Sequence, residues 1–414
     1  MEIKKTPITE LLDIIVDNRG KSVPTVEMGI PLIATNCIKT SSIFPTFENI
    51  RFVSPEVHAN WFRSHLMPGD ILFVNKGTPG RVCLVPDPVE FCAAQDMIAF
   101  RVNKNKIGNR FLFAVLRSDY IQKTIANFHV GLVIPHFKKG DLKNILIPRF
   151  NLKKESFIGD FYYLLSFKIE LNNRINAELE SMAKLIYDYW FVQFDFPDKN
   201  GNPYKSSGGK MVYDDKLNRE IPDGWESYKV KEIFKTDLGG TPSTKIINYW
   251  EGDFNWLNSG EIVQFPILKS EVTISEEGIK NSATTLLPKG TCVLSITRHL
   301  RASILGVESC VNQSVVGIYE TDDIKSSFIY PYLKNELPRL MSLRTGAQQP
   351  HINKSTVDES PIVIPPIDVL KSYYSIVNSF YGKIINNAQE NIKLEEIRDW
   401  LLPMLMNGQV TIKD

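Results

Sequence analysis

The chain has 414 residues and a formal net charge of +1, with 43% hydrophobic and 23% charged residues. These are the proportions of globular domains, so they exclude a disordered or fibrous protein, and the length allows two or three domains. No apolar run is long enough to cross a membrane, and the first residues lack the apolar stretch of a secretory signal. The five cysteines have neither a disulfide-framework nor a zinc-site spacing, so we expect a cytoplasmic protein.

The charge distribution limits how the chain could bind nucleic acid. A protein that binds mainly through phosphates is usually far more basic than this one. The first 150 residues hold 19 Lys and Arg against 13 Asp and Glu, so the positive excess is concentrated there. Any DNA-binding surface must therefore concentrate its charge locally or obtain it from a partner. Without such a surface, the composition describes an ordinary neutral protein.

The chain contains an internal repeat with a period of about 215 residues, which indicates a duplicated domain because solenoid repeats are far shorter. Similar blocks follow one another in the same order in both halves. The clearest pairs are Cys92–Gln95 with Cys310–Gln313, Gly131–His136 with Gly346–His351, and Ile145–Pro148 with Ile362–Pro365. Each match is weak by itself, but their shared order over most of the chain predicts two domains of one fold.

Each half opens with short β-type runs, such as Ile71–Val74 and Val315–Tyr319, bounded by Gly and Pro turns. One helical segment is predicted inside each of these regions, near 110–126 and 327–343. The predicted fold class is therefore α+β, with two similar β-rich mixed α/β domains.

A long helical segment follows each β-rich region. In the second, apolar residues alternate steps of three and four, which is the spacing of a helix-pairing seam, and the first has a less regular stripe. Stripes about 50 Å long exceed what a small domain needs, so we expect the two helices to pair with each other. The alternative is that each helix packs only on its own domain. The predicted pairing residues are Leu164, Leu171, Ile175, Met182, Ile186, Val377, Phe380, Ile384, Asn387 and Leu394.

These patterns predict five regions along the chain. Residues 195–223, rich in Gly, Ser and Lys, are expected to form an exposed connector. The others are a first β-rich domain at 1–150, a central helical region at 151–194, a second β-rich domain at 224–366 and a C-terminal helical region at 367–414.

Motifs for catalysis are scarce. The phosphate-binding, dinucleotide-binding, metalloprotease and serine-hydrolase motifs are absent. One permissive match to metal-dependent nucleases comprises Asp198, Asp214 and Lys216, whose carboxylates would hold Mg²⁺ while the lysine assists the attacking water. Solvated charges of the connector are the plainer interpretation of these residues. We therefore predict no metal site and no catalytic residue.

Polar residues in the loops of the β-rich domains are candidates for DNA contact. Arg and Lys suit guanine edges, Asn and Gln suit adenine, and Lys side chains or glycine amides suit phosphates. An ordinary surface role is the alternative for each residue, and His136 and His351, at equivalent repeat positions, could face DNA or serve only the fold. The predicted DNA-contacting residues are Arg19, Lys21, Lys76, Thr78, Gly240, Thr241, Ser243, Arg298, His299, Arg301, Gln348 and Gln349.

Three segments carry a resemblance to a known family. They are SMAKLIYDYWFVQFDFPDKNGNPYKSSGGKMVY at 181–213, IPDGWESYKVKEIFKTDLGGTPSTKIINYWEGDFNWLNSGEI at 221–262 and IPPIDVLKSYYSIVNSFYGKIINNAQENIKLEEIRDWLLPMLMNGQV at 364–410. In these segments the chain resembles the specificity (S) subunit of type I restriction–modification systems, and the resemblance extends over essentially its whole length. Arg19-Gly20-Lys21 stands in the first domain where the second has Gly-Gly-Thr, as expected if the two domains read different sequences.

The resemblance implies two target-recognition domains that each read one half of a bipartite site in double-stranded DNA. The two helical regions would form an antiparallel spacer that sets the distance between the half-sites. The chain would dock two modification (methyltransferase) subunits and, through them, restriction subunits, with no membrane partner. It would be non-catalytic and hold no cofactor, because S-adenosylmethionine, ATP and Mg²⁺ would belong to the partner subunits. A stand-alone metal-dependent nuclease and a helical scaffold that does not bind DNA are the alternatives.

Overall fold

The computed structural model describes residues 4–18, 22–128, 135–346, 348 and 350–410. The chain folds into two compact units. The first comprises Met1–Asn172 with Asn391–Asp414, and the second comprises Asn173–Glu390. Each unit therefore contains one β-rich globule and part of both long helices.

The globule of the first unit is built from short strands. They are β1 (Lys5–Pro7), β2 (Leu12–Val16), β3 (Ile30–Ile33), β4 (Arg51–Val53), β5 (Ile71–Val74), β6 (Val82–Leu84), β7 (Cys92–Ala93), β8 (Met97–Val102) and β9 (Leu146–Pro148). The helices are α1 (Pro55–Trp61), α2 (Asn109–Arg117) and α3 (Asp119–Asn127), followed by the long α4 (Leu152–Tyr187). The strands pair in the orders β2-β8-β5-β6 and β4-β3-β7, and β1 pairs with β9.

Strand β5 lies at the centre of the first globule, and all four of its residues are buried. Successive side chains of a strand point to opposite faces of the sheet. Accordingly, Phe73 packs in a cluster with Phe100 and with Phe111 of α2. Val74 packs on the other face in a cluster with Ile33 of β3. The continuous apolar run predicted as a strand is therefore covered on both sides.

The second unit contains a hairpin and a second globule. Its strands are β10 (Met211–Asp214), β11 (Arg219–Pro222), β12 (Glu226–Lys229), β13 (Thr236–Leu238), β14 (Trp250–Leu257), β15 (Val272–Ile274), β16 (Cys292–Ser295), β17 (Arg301–Ile304), β18 (Ser309–Val311), β19 (Val315–Ile318) and β20 (Pro361–Ile364). Its helices are α5 (Val230–Ile233), α6 (Glu276–Lys280), α7 (Ser326–Ser342) and α8 (Lys354–Asp358), followed by the long α9 (Ile367–Met406).

The sheets of the second globule have the topology of the first. Their orders are β13-β19-β16-β17 and β15-β14-β18, and β12 pairs with β20. Even the direction of pairing is repeated, because β14 runs parallel to β18 as β3 runs parallel to β7. The predicted duplication of one mixed α/β domain is confirmed.

In the first unit, the start of α4 and the end of α9 pack antiparallel. The side chain of Asn172 donates from Nδ2 to Asn391 Oδ1 over 2.8 Å, and both residues are buried. Earlier in α4, the ring of Tyr162 lies 5.6 Å from the guanidinium of Arg398, which comes later in α9. A buried polar pair of this kind favours one register of the two helices.

In the second unit, the end of α4 and the start of α9 also pack antiparallel. Asn387 donates from Nδ2 to Asn176 Oδ1 over 2.8 Å. Nearer the end of α4, the ring of Tyr187 lies 6.3 Å from that of Tyr373, near the start of α9. Each unit thus contains antiparallel segments of the helix pair, and each has an Asn–Asn hydrogen bond within it.

The pairing seam of α4 differs from the predicted one. Leu164, Leu171 and Met182 are 60%, 39% and 48% exposed, so the prediction that they pair was wrong. Ile175 and Ile186 are partly buried. The buried positions of α4 include Tyr162, Ser166, Ile169, Asn172, Ala183 and Tyr187. The buried seam of α4 contains Ser and Asn, so its apolar periodicity in the sequence is weaker than that of the exposed stripe beside it. The exposed stripe was therefore predicted as the seam.

The seam of α9 lies close to the predicted one. Val377, Ile384 and Asn387 are buried, and Leu394 is partly buried. Phe380 is only partly buried against the core, and the buried position belongs to the next residue, Tyr381.

The segment predicted as an exposed connector is ordered and partly buried. It contains the β10–β11 hairpin. Phe196 and Ile221 lie in the core cluster of the second unit together with Trp225. Asp195 is also buried and accepts hydrogen bonds from the amide and the hydroxyl of Ser206 at 2.7 and 2.6 Å. Most of residues 195–223 are exposed, and the few buried side chains attach the segment to the core of the second unit, of which it is part.

Candidate nucleic-acid interface

At one edge of the second globule, five loops are tied together by hydrogen bonds. The amide of Ile296 donates to Ser314 O over 2.9 Å, and the amide of Arg298 donates to Pro350 O over 2.8 Å. The amide of Asn312, in the β18–β19 turn, reaches Leu257 O at the end of β14. We call this assembly loop cluster 2. Its described members are 239–243, 258–260, 296–301, 312–314, 344–346, 348 and 350–351.

Loop cluster 2 brings together most of the DNA-contacting residues predicted in this half. Thr241, Ser243, Arg298, His299 and Gln348 are exposed in it. Arg301 is half-buried at the start of β17, and Gln349 lies outside the described residues. The sequence therefore predicted a set of polar groups that the fold gathers at one edge.

One exposed residue of loop cluster 2 was missed. Gln313 accepts a hydrogen bond at Oε1 from the hydroxyl of Thr241 over 2.6 Å, which orients its amide group. The repeated blocks Cys92–Gln95 and Cys310–Gln313 contain the signal that marks this position, because both end in an exposed glutamine on the same turn of the fold. A polar side chain oriented by a neighbour is suited to reading a base edge.

Gly240 was predicted to contact DNA, and the structure gives it another role. It is buried, its amide donates to Val311 O over 2.9 Å, and its carbonyl accepts from Trp256 Nε1 over 2.9 Å. A Cβ at this position would lie 2.6 Å from the carbonyl carbon of Ala283. Both backbone groups are thus engaged, so Gly240 cannot offer its amide to a phosphate. Its place in the sequence is explained by close backbone packing.

The first globule has an equivalent assembly, which we call loop cluster 1. Its described members are 17–18, 75–78, 94–96 and 135–139. The amide of Gly77 donates to Pro135 O over 3.0 Å, and that of Phe137 donates to Asn75 O over 2.7 Å. Asn75 is fully buried, and its Nδ2 returns a bond to Phe137 O over 3.1 Å. The backbone bond of Gly77 repeats that of Arg298 in loop cluster 2, and the bond from Phe137 to Asn75 O repeats the bond from the amide of Ile352 to Ile296 O over 3.0 Å.

The exposed groups of loop cluster 1 are basic or polar. Lys76 and His136 are exposed, and Thr78 is half-buried. Lys139 Nζ lies 3.4 Å from a carboxylate oxygen of Asp17. The predicted contacts Arg19 and Lys21 lie outside the described residues. Their chain neighbour Asn18 is held by bonds from the amides of residues 63 and 64.

The two repeat-equivalent histidines have a backbone role. His136 pairs with Lys76 in an antiparallel bridge, and His351 pairs likewise with Thr297 and with Thr345. The main chains of both histidines therefore hold two loops of their cluster together, and this role does not depend on the imidazole rings.

The five cysteines are all buried. Cys92 and Cys310 occupy equivalent positions within the parallel strand pairs, in β7 and β18. Burial raises the pKa of the Cys92 thiol to about 12 and that of Cys310 to about 11, so both stay protonated near neutral pH.

The residues of the nuclease alternative serve local structure. Asp198 accepts from the amides of Asn200 and Asn202, both at 2.8 Å, and so closes a turn. Asp214 accepts from the hydroxyl of Ser227 over 2.6 Å, while Lys216 donates to Ser227 O. Burial favours a raised pKa for Asp214, but its hydrogen bonds outweigh burial and lower the pKa.

The described residues contain no group of three or more His, Cys, Asp and Glu side chains that could hold a metal ion. Within the same part of the chain, no helix is both long enough and apolar enough to span a membrane.

Comparison with known proteins identifies the family. The sequence pattern of the family described as type I restriction modification DNA specificity domain matches residues 62–181 and 222–396, well over half of the chain. The chain belongs to this family. One match falls in each half of the repeat, so both halves are specificity domains.

Individual relatives agree with the family match. The specificity subunit of the MjaIX type I restriction enzyme of Methanocaldococcus jannaschii is 24% identical over 351 residues, which are 84% of this chain and 78% of that protein. The HindI specificity subunit of Haemophilus influenzae is 24% identical over 399 residues, covering 83% of this chain and 86% of its own length. The type I S subunit from M. genitalium shares the fold, with a TM-score of 0.60, 15% identity and coverage of 98% and 96%.

These findings decide between the alternatives raised by the sequence. The chain is a type I specificity subunit, the non-catalytic component that gives a restriction–modification system its DNA specificity. A stand-alone nuclease and a scaffold that does not bind DNA are not supported. For this specificity subunit, the two loop clusters are the candidate surfaces for reading DNA.

Proposed function

We propose that this specificity subunit reads a bipartite site in double-stranded DNA, with one half-site read by each loop cluster. The observation that carries the proposal is that the two globules repeat the same backbone bonds around different side chains. Lys76, Gly77 and Thr78 in one cluster correspond to Thr297, Arg298 and His299 in the other. Two globules that read different DNA sequences need the same backbone arrangement with different exposed hydrogen-bond donors.

The exposed stripe of α4 supports a docking role. In the first unit it comprises Leu164, Phe167 and Leu171. In the second unit it comprises Met182 and Leu185 and is continued with the same spacing by Tyr189, in the helical turn that follows α4. Leu185 is 69% exposed, and apolar side chains in a row on a helix mark protein interaction sites. We propose that two methyltransferase subunits dock on these two stretches and that restriction subunits join through them.

Catalysis would then belong to the partners. In this proposal the chain holds no cofactor, and S-adenosylmethionine, ATP and Mg²⁺ are bound by the methyltransferase and restriction subunits in the cytoplasm. The near-zero net charge fits such an assembly, because the partners would supply part of the positive surface around the DNA.

Mapping of methylated sites tests DNA reading. The chain is expressed with its methyltransferase partner in a host without other methylation, and the modified bases are located genome-wide. We expect one motif with two specific parts and an unread spacer. Exchange of residues 1–150 for the corresponding region of another specificity subunit should change one part only. A motif that changes in both parts would contradict separate reading by the two units.

Co-purification tests docking. Leu164→Arg and Leu185→Arg place a charge in the exposed stripe, so each should reduce the amount of methyltransferase retained. Glu178→Arg, at another exposed position of α4, is the matched control and should retain it. Full retention by both stripe variants would show that the partner docks elsewhere.

A further inference from the structure

Arg298 occupies a backbone position that favours glycine. Its φ is 56°, in the left-handed region that side chains with a Cβ rarely adopt. The equivalent residue of loop cluster 1 is Gly77, with φ 84°, and each donates its amide to the proline before the repeat-equivalent histidine. The same turn therefore has glycine in one unit and arginine in the other.

Neighbouring contacts hold Arg298 in this conformation. Its carbonyl accepts from Arg344 Nη1 over 2.9 Å, and its amide is bound to Pro350 O. On the other side of the loop, Ser295 Oγ donates to His299 O over 2.8 Å and accepts from the amide of Arg301 over 2.9 Å. The loop is thus fixed through its main chain, and none of these bonds needs the Arg298 side chain.

The guanidinium of Arg298 does not contribute a hydrogen bond to the fold. It is exposed, and within the described part of the chain no group accepts a hydrogen bond from it. A left-handed backbone conformation that no side-chain hydrogen bond compensates, on a loop beside other exposed polar groups, motivates a functional hypothesis for Arg298. The side chain is presented on a fixed loop among the exposed polar groups of loop cluster 2.

We propose that Arg298 is a specificity-determining residue that reads a guanine in the half-site of the second unit. Arginine donates two parallel hydrogen bonds to O6 and N7 of guanine in the major groove. Such a pair depends on the direction from which the side chain approaches, and a fixed loop sets that direction. Neutralising a phosphate would need only charge, which a flexible lysine at an unstrained position supplies. This inference rests on the proposed reading of DNA by the loop clusters.

The test compares Arg298→Gly, Arg298→Lys and Asn49→Gly in the full chain expressed with its methyltransferase. Asn49 is the matched control, because its φ is 50°, it is exposed, and it lies just before β4, outside the loop clusters. Methylated motifs and binding to a library of half-sites report specificity, and thermal unfolding reports stability.

We expect Arg298→Gly to unfold at the wild-type temperature or above it, because glycine adopts the turn freely. Its preference for guanine at one position of one half-site should fall by about 10- to 100-fold, while the other half-site is unchanged. Arg298→Lys keeps the charge but not the two-bond geometry, so it should lose the same preference. Asn49→Gly should unfold at or above the wild-type temperature with an unchanged motif.

Four results would overturn the inference. One is an unchanged motif in Arg298→Gly, or a wild-type half-site without a G·C pair. Another is equal weakening on all sequences, which would indicate a phosphate contact. The last is a clear fall in unfolding temperature for Arg298→Gly, which would give the arginine a structural role. A wild-type chain without any bipartite motif would instead contradict the proposed function itself.

Discussion

Gly239 is a residue whose close packing positions part of loop cluster 2. A Cβ at this position would lie 2.1 Å from Val311 O, far inside contact distance, and the obstacle is backbone that cannot move aside cheaply. The Gly-Gly pair seen in the sequence therefore lets the chain after β13 pass directly over β18. It serves the loop cluster by placing Thr241 beside Gln313.

We predict that Gly239→Ala lowers the free energy of unfolding by about 2 kcal/mol, because the backbone must shift to admit the methyl group. Urea denaturation measures the loss. The matched control is Gly382→Ala on α9, where a Cβ would meet nothing within 4 Å and alanine favours the helix, so stability should rise by about 1 kcal/mol. Equal effects of the two substitutions would show that close packing at Gly239 is not limiting.

Lys76 is predicted to bind a phosphate, since it is an exposed, flexible cation in loop cluster 1. Lys76→Ala should weaken binding evenly across DNA sequences and reduce the salt dependence of log K by about one. Titrations at several salt concentrations measure both. Lys104→Ala is the control. Lys104 is exposed just after the last residue of β8, whereas loop cluster 1 lies at the first residue of that strand. An unchanged salt slope in Lys76→Ala would remove this contact.

Arg301 and Gln348 are two further predicted DNA contacts that can be tested singly. If either reads a base edge, its alanine variant should relax one motif position at a cost of about 1–3 kcal/mol. If it binds phosphate, its variant should behave as Lys76→Ala does. Motif mapping and the salt titrations distinguish the two results, and a variant unchanged in both would show that the residue makes no contact.

At the scale of the elements, the helix pair is marked by buried polar residues. Asn387 is only 2% exposed, and its bond to Asn176 leaves the pair satisfied within the second unit. A hydrogen-bonded Asn pair contributes less stability than Leu would, but it penalises any register that separates the two residues.

We expect Asn387→Leu alone to lower the free energy of unfolding by about 1–2 kcal/mol, since it removes the donor to Asn176 Oδ1. The double variant Asn176→Leu, Asn387→Leu should recover that loss, because two apolar side chains can pack without an unsatisfied group. Thermal unfolding of the single and double variants gives the coupling. Asn386→Leu, exposed on the same helix, is the control and should change little. A double variant less stable than both single variants would contradict this account.

At the scale of the whole molecule, we propose that the helix pair sets the unread spacer of the DNA site. Seven residues added to a helix preserve its seam and lengthen it by about 10 Å. Since B-DNA rises about 3.4 Å per base pair, insertion after both Asn172 and Glu390 should lengthen the spacer by up to about three base pairs. Some insertions should abolish binding, because the second half-site also rotates around the duplex.

Mapping the methylated motifs of these variants measures the spacer length. Insertions of three or four residues, about one helical turn, should change that length by smaller amounts. An insertion in α4 alone is the control, because it mismatches the two seams and should impair assembly. An unchanged spacer with binding intact would show that the helices do not set the distance.

The sequence by itself determined the duplication, the fold class and the presence of two long helices. These depend on local features, namely apolar runs such as Ile71–Val74, Gly and Pro turns, and the order of matching blocks. The seam of α9 was also readable, because its apolar residues lie on one face. The family resemblance added the function, and the loops that carry Lys76 and Arg298 were found from residue type alone.

Only the tertiary structure decided which polar residues are buried and which apolar residues are left exposed. The seam of α4 was misplaced because Asn172 and Asn176 look like surface residues until their partners in α9 are known. Gly240 looked like a phosphate-binding glycine until Trp256 and Val311 were seen to occupy its backbone groups. The strain at Arg298 depends on Arg344 and Pro350, which lie far along the chain. In each case the deciding partner is distant in sequence, so no local pattern contains it.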